Sequence, residues 1–219
     1  ATYVGGSPYN VPATLSVIAH VELNNGLWYP KGGIYQVAAG MARLAKEMGV
    51  QIRTRARVNA IATDGAQAIG VHVADLEQDG EETLVSADAV VANVDVMTTY
   101  EKLLPQIPDV TQRAARLSAI EPSCSGFVLL LGVEGNYNHL LHHKIFFGED
   151  YNREFDDIFK RGVPPADPTV YVSITSKADP QHAPEGCENW FVLVNAPPAG
   201  KNYDWKTQAE DYRDRVLET

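Results

Sequence analysis

The chain is poor in cysteine, in basic charge and in long apolar runs, and each shortage removes a class of protein. It carries two cysteines in 219 residues, Cys124 and Cys187. They lie far apart in an otherwise ordinary composition and read as free thiols in a reducing compartment, not as a disulfide staple. No staple is needed, because a chain of this length buries a substantial core. Lysine and arginine number 18 against 28 aspartates and glutamates, a formal net charge of −10. Such a surface repels phosphate backbones and excludes nucleic acid as an expected partner. It also repels anionic lipid wherever no basic patch offsets it. No apolar run approaches the roughly 18 residues of a membrane-spanning helix, and no signal-peptide pattern is read. A cytoplasmic location is the expectation.

Familiar catalytic signatures are missing as well. The sequence has no Gly-X-Ser-X-Gly elbow, no metalloprotease His-Glu motif and no Walker loop. It has no Gly-X-Gly-X-X-Gly, hence no dinucleotide fingerprint of its own. Pro30-Lys31-Gly32-Gly33 precedes a helix, whose free amides attract anions, but the loop lacks the length and spacing of a phosphate cradle. Asp75-Leu-Glu77-Gln-Asp79-Gly80 begins like a calcium loop. Its twelfth position is Ser86, where a bidentate Glu is required, and strands flank it, so it reads as a solvated hairpin turn. His139, His142 and His143 have no Cys or carboxylate at metal-ligand spacing. They read as structural or cavity histidines.

What is present is the balance of a globular protein, 45% hydrophobic and 21% charged. Helices are expected over 12–23 and 34–48. The second carries the apolar stripe Ile34, Val37, Met41, Leu44 and Met48, with Gly49 as its left-handed cap. A strand is expected over 50–54. Period-2 alternation over 57–63, 68–74 and 83–85, with turns at Asp64-Gly65 and Gln78-Asp79-Gly80, predicts a three-stranded antiparallel meander. The continuous apolar run 87–93 predicts a strand buried on both faces of a parallel sheet. Helical segments follow at 97–104 and 110–120, separated by Pro105 and Pro108. Strands are expected over 125–133, 144–147, 170–176 and 190–196, with a helix over 151–161. The last helix, 204–219, puts Trp205, Ala209, Tyr212 and Val216 on one face. It has no stop signal after it, and the chain opens at Ala1 without a Met. Both ends suggest an internal piece of a longer enzyme.

Seven stretches carry a resemblance. They are Tyr3-Val-Gly-Gly-Ser-Pro-Tyr9, Gly26-Leu-Trp-Tyr-Pro-Lys-Gly-Gly33, Ala87-Asp-Ala-Val-Val-Ala-Asn-Val-Asp95, His142-His-Lys-Ile-Phe-Phe-Gly-Glu-Asp-Tyr151, Asp167-Pro-Thr-Val-Tyr-Val-Ser173, Ser176-Lys-Ala-Asp-Pro180 and Ala183-Pro-Glu-Gly186. In order and over essentially the whole chain, they resemble the phytoene (carotenoid) desaturase family of flavoproteins. The resemblance implies FAD in the full-length parent and an apolar isoprenoid or carotenoid substrate. The substrate would be dehydrogenated by hydride transfer to the flavin.

The implied fold is α/β with α+β character, similar to the amine oxidases. A partial FAD-binding domain containing the meander (27–97) interleaves with an antiparallel-sheet substrate domain with helices (1–26 and 98–219). The family's amino-terminal glycine fingerprint and its carboxy-terminal glycine-rich segment are both missing, so the isolated chain is expected to bind no FAD and to catalyse nothing.

One cofactor contact carries over. Arg57-Val58-Asn-Ala-Ile61 matches the strand whose Val backbone meets the adenine end of FAD, which nominates Val58; the alternative is a plain strand residue. A substrate cavity for such a chain is lined with apolar side chains. Phe127, Leu129 and Leu131, or Phe146 and Phe147, supply such a wall or else belong to the core. Membrane contact of the full-length protein also fits the resemblance. The competing readings are a relative acting on another apolar substrate, of retinoid saturase or amine oxidase type, and a non-enzymatic binding module.

Overall fold

In the computed structural model, residues 4–77, 80–104, 107–200 and 202–219 are described. The expected features at Tyr3, at Gln78 and Asp79, and at Pro105 lie outside the described residues.

The chain divides into two compact units, 42–121 and the combination of 1–41 with 122–219. Residues 29–33 bond into the second of these units through Gly32 and Asp179. Residues 98–121 belong to the same unit as the meander.

Unit 42–121 is built on the meander β1 (Ala56–Asp64), β2 (Gln67–Asp75) and β3 (Glu82–Ser86). The order is β1-β2-β3, antiparallel throughout. The bulge between Val58 and Ala60 leaves Asn59 without a cross-strand partner. Gly70 is required in β2, because a Cβ there would collide with the Val85 carbonyl on β3. Helix α3 (Val96–Thr98) starts on an Asp95 cap and runs into a π turn, Thr99–Leu103. It is followed by α4 (Pro108–Ser118). Leu103, Val110 and Ala114 are buried, as an amphipathic helix requires.

Two expected strands do not form. Residues 50–54 leave α2 (Tyr35–Glu47) through the Val50 amide, which still bonds the Ala45 carbonyl, and they join no ladder. Residues 87–93 add one more bond, Ala87 N–H to the Ile69 carbonyl, and then run unpaired. Val91 is 93% exposed. The physical reason is the missing ladder: both sheets among the described residues are antiparallel, and neither offers a parallel neighbour. The helix α2 forms as expected, with Gly49 at φ +88° after it. Its stripe Val37, Met41 and Leu44 stays exposed.

The second unit is built on a four-stranded antiparallel sheet of order β4-β7-β6-β5. Its strands are β4 (Ser125–Glu134), β5 (His143–Phe146), β6 (Val170–Ser173) and β7 (Cys187–Ala196). One face carries the core: Leu140, Val170, Val172, Ile174, Val192 and Val194 pack with Tyr212 and Val216 of α6 (Trp205–Glu218). Each such side chain stabilises by roughly 1.5–3 kcal/mol. Helix α5 (Tyr151–Asp156) is capped by Asp150 and continues as a π turn, Asp157–Arg161. It buries Phe155, Ile158 and Glu154. Helix α1 (Val17–Asn25) follows a 3-10 turn, Ala13–Ser16.

Candidate functional site

A β-sheet has two faces, and the register assigns each side chain to one of them. Across β4, β7, β6 and β5, Phe127 stands opposite Val194, Val194 opposite Val170, and Val170 opposite Phe146. Leu129 and Leu131 share that face through Val192 and Trp190. Helix α6 closes it: Phe127 stacks on Trp205 at 5.5 Å and meets Tyr212 edge-on at 5.3 Å. Phe127, Leu129 and Leu131 are partly buried and pack against the core cluster. Phe146 and Phe147 stay accessible, at 38% and 69%.

The residues of the opposite face lie outside that core cluster. Its first row across the strands is Val128, Leu193, Tyr171 and Ile145; its second is Leu130, Phe191, Ser173 and His143. Leu130 is 77% exposed, with Val128 and Ile145 also open. Tyr171 and Ser173 of β6 separate Ile145 from Leu193 and Phe191 on this face. The sequence signal was the β4 alternation itself. The stripe on α6 needs one sheet face, which leaves the other parity, Val128 and Leu130, exposed.

Polar groups gather at one edge of this face. His143 Nδ1 lies 2.7 Å from the Tyr171 hydroxyl, and their rings stack. His142 stacks on His143 at 4.3 Å and receives the edge of Tyr29 at 4.9 Å. Burial first, and the neighbouring His143 second, push the His142 imidazole below its ordinary value. The Tyr29 hydroxyl lies 3.2 Å from His182 Nδ1, and that nitrogen also meets Thr175 Oγ1 at 2.9 Å. The histidines are therefore tied to tyrosines and threonine. Among the described residues, no group of three or more His, Cys, Asp or Glu could hold a metal.

Two further polar clusters stiffen the sheet. Glu188, 4% exposed, accepts from Lys177 Nζ at 2.6 Å, from the Tyr137 amide and from Trp190 Nε1. Burial raises its carboxyl, but Lys177, Trp190 and Tyr137 outweigh that and hold it below the usual range. Glu154, 2% exposed, accepts from the Thr169 amide, while its second oxygen has no partner. Burial pushes this carboxyl up, against the bonds from Thr169 and Asn195.

The flavin contact expected at Val58 falls on β1, an edge strand of the meander, with its side chain 39% exposed. An edge strand leaves backbone groups free for a ligand. In the loop before α2, the Gly32 amide donates to Asp179 Oδ2 at 2.9 Å.

The family model described as flavin containing amine oxidoreductase matches residues 6–186. The chain belongs to this family. The zeta-carotene-forming phytoene desaturase of Myxococcus xanthus is 40% identical over 96% of this chain and 39% of its own length. The 4,4'-diapolycopene oxygenase of a Methylomonas species is 39% identical over 98% and 42%. The 1-hydroxycarotenoid 3,4-desaturase of a Flavobacterium is 38% identical over 93% and 40%. The chain thus spans about two fifths of the length of the curated relatives it matches. Among solved structures, an oxidoreductase from Methanosarcina mazei superposes with a TM-score of 0.61, covering 86% of this chain and 38% of that one. At 17% identity that likeness shows the fold. Membership of a flavin-containing amine oxidoreductase family agrees with the mixed helix-and-strand build of both units. No helix among the described residues is long and apolar enough to cross a membrane.

Proposed function

We propose that this chain is part of an FAD-dependent oxidoreductase that dehydrogenates a long apolar isoprenoid, and that the open face of the β4-β7-β6-β5 sheet is a wall of its substrate cavity. The observation that supports this most is that face: Val128, Leu130, Phe191, Leu193 and Ile145 form one apolar surface in a chain of a flavoprotein family whose named relatives act on carotenoids. Phe147 follows Ile145 in the same parity at its β5 margin, while Phe146 belongs to the other face. Residues 27–97 are read as the central piece of a discontinuous FAD domain, with Val58 at the adenine end. Residues 1–26 and 98–219 are read as the substrate domain. Bound flavin would supply hydride acceptance. This chain's own part is to bind and align the polyene and to exclude water. The enzyme is read as cytoplasmic with peripheral membrane contact, as a water-insoluble substrate requires.

The test is expression from the complete coding sequence, loading with FAD, and incubation with phytoene and longer polyenes. Product analysis must score dehydrogenated and oxygenated carotenoids alike, since relatives of both names match within one percentage point. Conversion of no isoprenoid would sink the reading. The 219-residue chain alone is expected to purify colourless. A yellow preparation with one flavin per chain would refute the claim that its flavin site is incomplete.

A further inference from the structure

The open face is not uniform. Its β4 and β7 half is hydrocarbon and phenyl: Val128, Leu130, Phe191 and Leu193. Its β6 and β5 half carries the Tyr171 and Ser173 hydroxyls and the His143 imidazole beside Ile145. With neighbouring strands about 4.8 Å apart, the two ends of a row lie about 14 Å from each other. A ligand laid across the strands meets an apolar surface first and a polar pair last.

That pair has a definite hydrogen-bonding capacity. His143 Nδ1 and the Tyr171 hydroxyl share one hydrogen at 2.7 Å. If the phenol donates it, His143 Nε2–H is a free donor and the phenol oxygen a free acceptor. If Nδ1–H donates it, the phenol O–H is the free donor and Nε2 the free acceptor. Either tautomer therefore offers one donor and one acceptor. The rings are held by stacking on each other, and His143 also by His142, which Tyr29 braces from behind.

We propose that the His143–Tyr171 pair recognises a neutral oxygen, a hydroxyl or carbonyl, on the end of the isoprenoid, so that this protein selects oxygenated polyenes over hydrocarbons. This rests on the reading of the open face as the substrate wall. A hydroxyl uses both the free donor and the free acceptor, and a carbonyl uses the donor. A methyl end uses neither and covers two polar groups without a partner, which is how a polar site rejects an apolar analogue.

The test titrates the chain with retinol, an isoprenoid polyene ending in a hydroxyl, and with the same polyene ending in a methyl. Protein fluorescence quenching reads the affinity. Retinol is expected to bind about tenfold tighter, ~1.4 kcal/mol. Tyr171→Phe and His143→Leu are expected to remove that preference by bringing the two affinities within about twofold of each other, with far-ultraviolet circular dichroism unchanged to show that both variants fold. Equal wild-type affinity for the two polyenes, or a preference that survives both substitutions, overturns the assignment of the pair and leaves the wall intact. Binding of neither polyene overturns the wall and the pair together.

Discussion

Replacing Glu188 by Gln removes the anion that Lys177 meets among the described residues of the second unit. The wild-type carboxylate accepts three hydrogen bonds, from Lys177 Nζ, Tyr137 N–H and Trp190 Nε1. The lysine side chain is 21% exposed and the carboxylate 4%, so water replaces little of what is lost. Breaking a buried pair from one side typically costs about 3–5 kcal/mol. The Gln carbonyl keeps one of the neutral donors, worth about 1 kcal/mol, so the expected loss is about 2–4 kcal/mol at pH 7. Urea unfolding followed by tryptophan fluorescence measures it, because Trp190 sits on the altered group.

The pH dependence gives the sign. The folded carboxyl lies below its ordinary value, so its contribution is complete above about 4.3, the unfolded value. It is lost as pH falls through the lower folded value. The gap between wild type and Glu188→Gln should therefore close on acidification below about pH 4. A loss under 0.5 kcal/mol at pH 7, or a gap that widens with acid, would refute the reasoning.

Glu154 should behave in the opposite sense. Its folded carboxyl is raised by burial, so the proton it retains favours the folded state at low pH and that benefit fades as pH rises through the raised value. Glu154→Gln should be more stable than wild type at pH 8, by on the order of 1 kcal/mol, with the difference vanishing near pH 4 in the same urea assay. Gly70→Ala should cost about 2–3 kcal/mol or more, because the new methyl meets the backbone carbonyl of Val85 and the ladder has to part. Loss of amide protection confined to β2 and β3 in hydrogen exchange would locate the damage.

The meander was legible in the sequence because alternation and two turn signals agree over its whole length. The terminal helix was legible because Trp205, Tyr212 and Val216 repeat at helical spacing. Residues 87–93 were not, since an apolar run says that a strand wants two neighbours and not that the neighbours are there. The open sheet face was half legible. Alternation in β4 announces two faces, but only the position of α6 decides that Phe127, Leu129 and Leu131 are covered and that Val128 and Leu130 are open. The Lys177–Glu188 and Glu154–Thr169 clusters join residues on separate elements, and no local pattern carries them. His143 was visible as one of three histidines. Its pairing with Tyr171, 28 residues away, came only with the strand register.

The central claim is that the open sheet face holds the polyene, and Leu130 tests it most directly. At 77% exposure, Leu130→Glu should leave stability within about 0.5 kcal/mol. In the FAD-loaded protein from the complete coding sequence, turnover of a long polyene should fall at least about tenfold, with the flavin absorbance unchanged. Undiminished turnover by that variant would contradict the account.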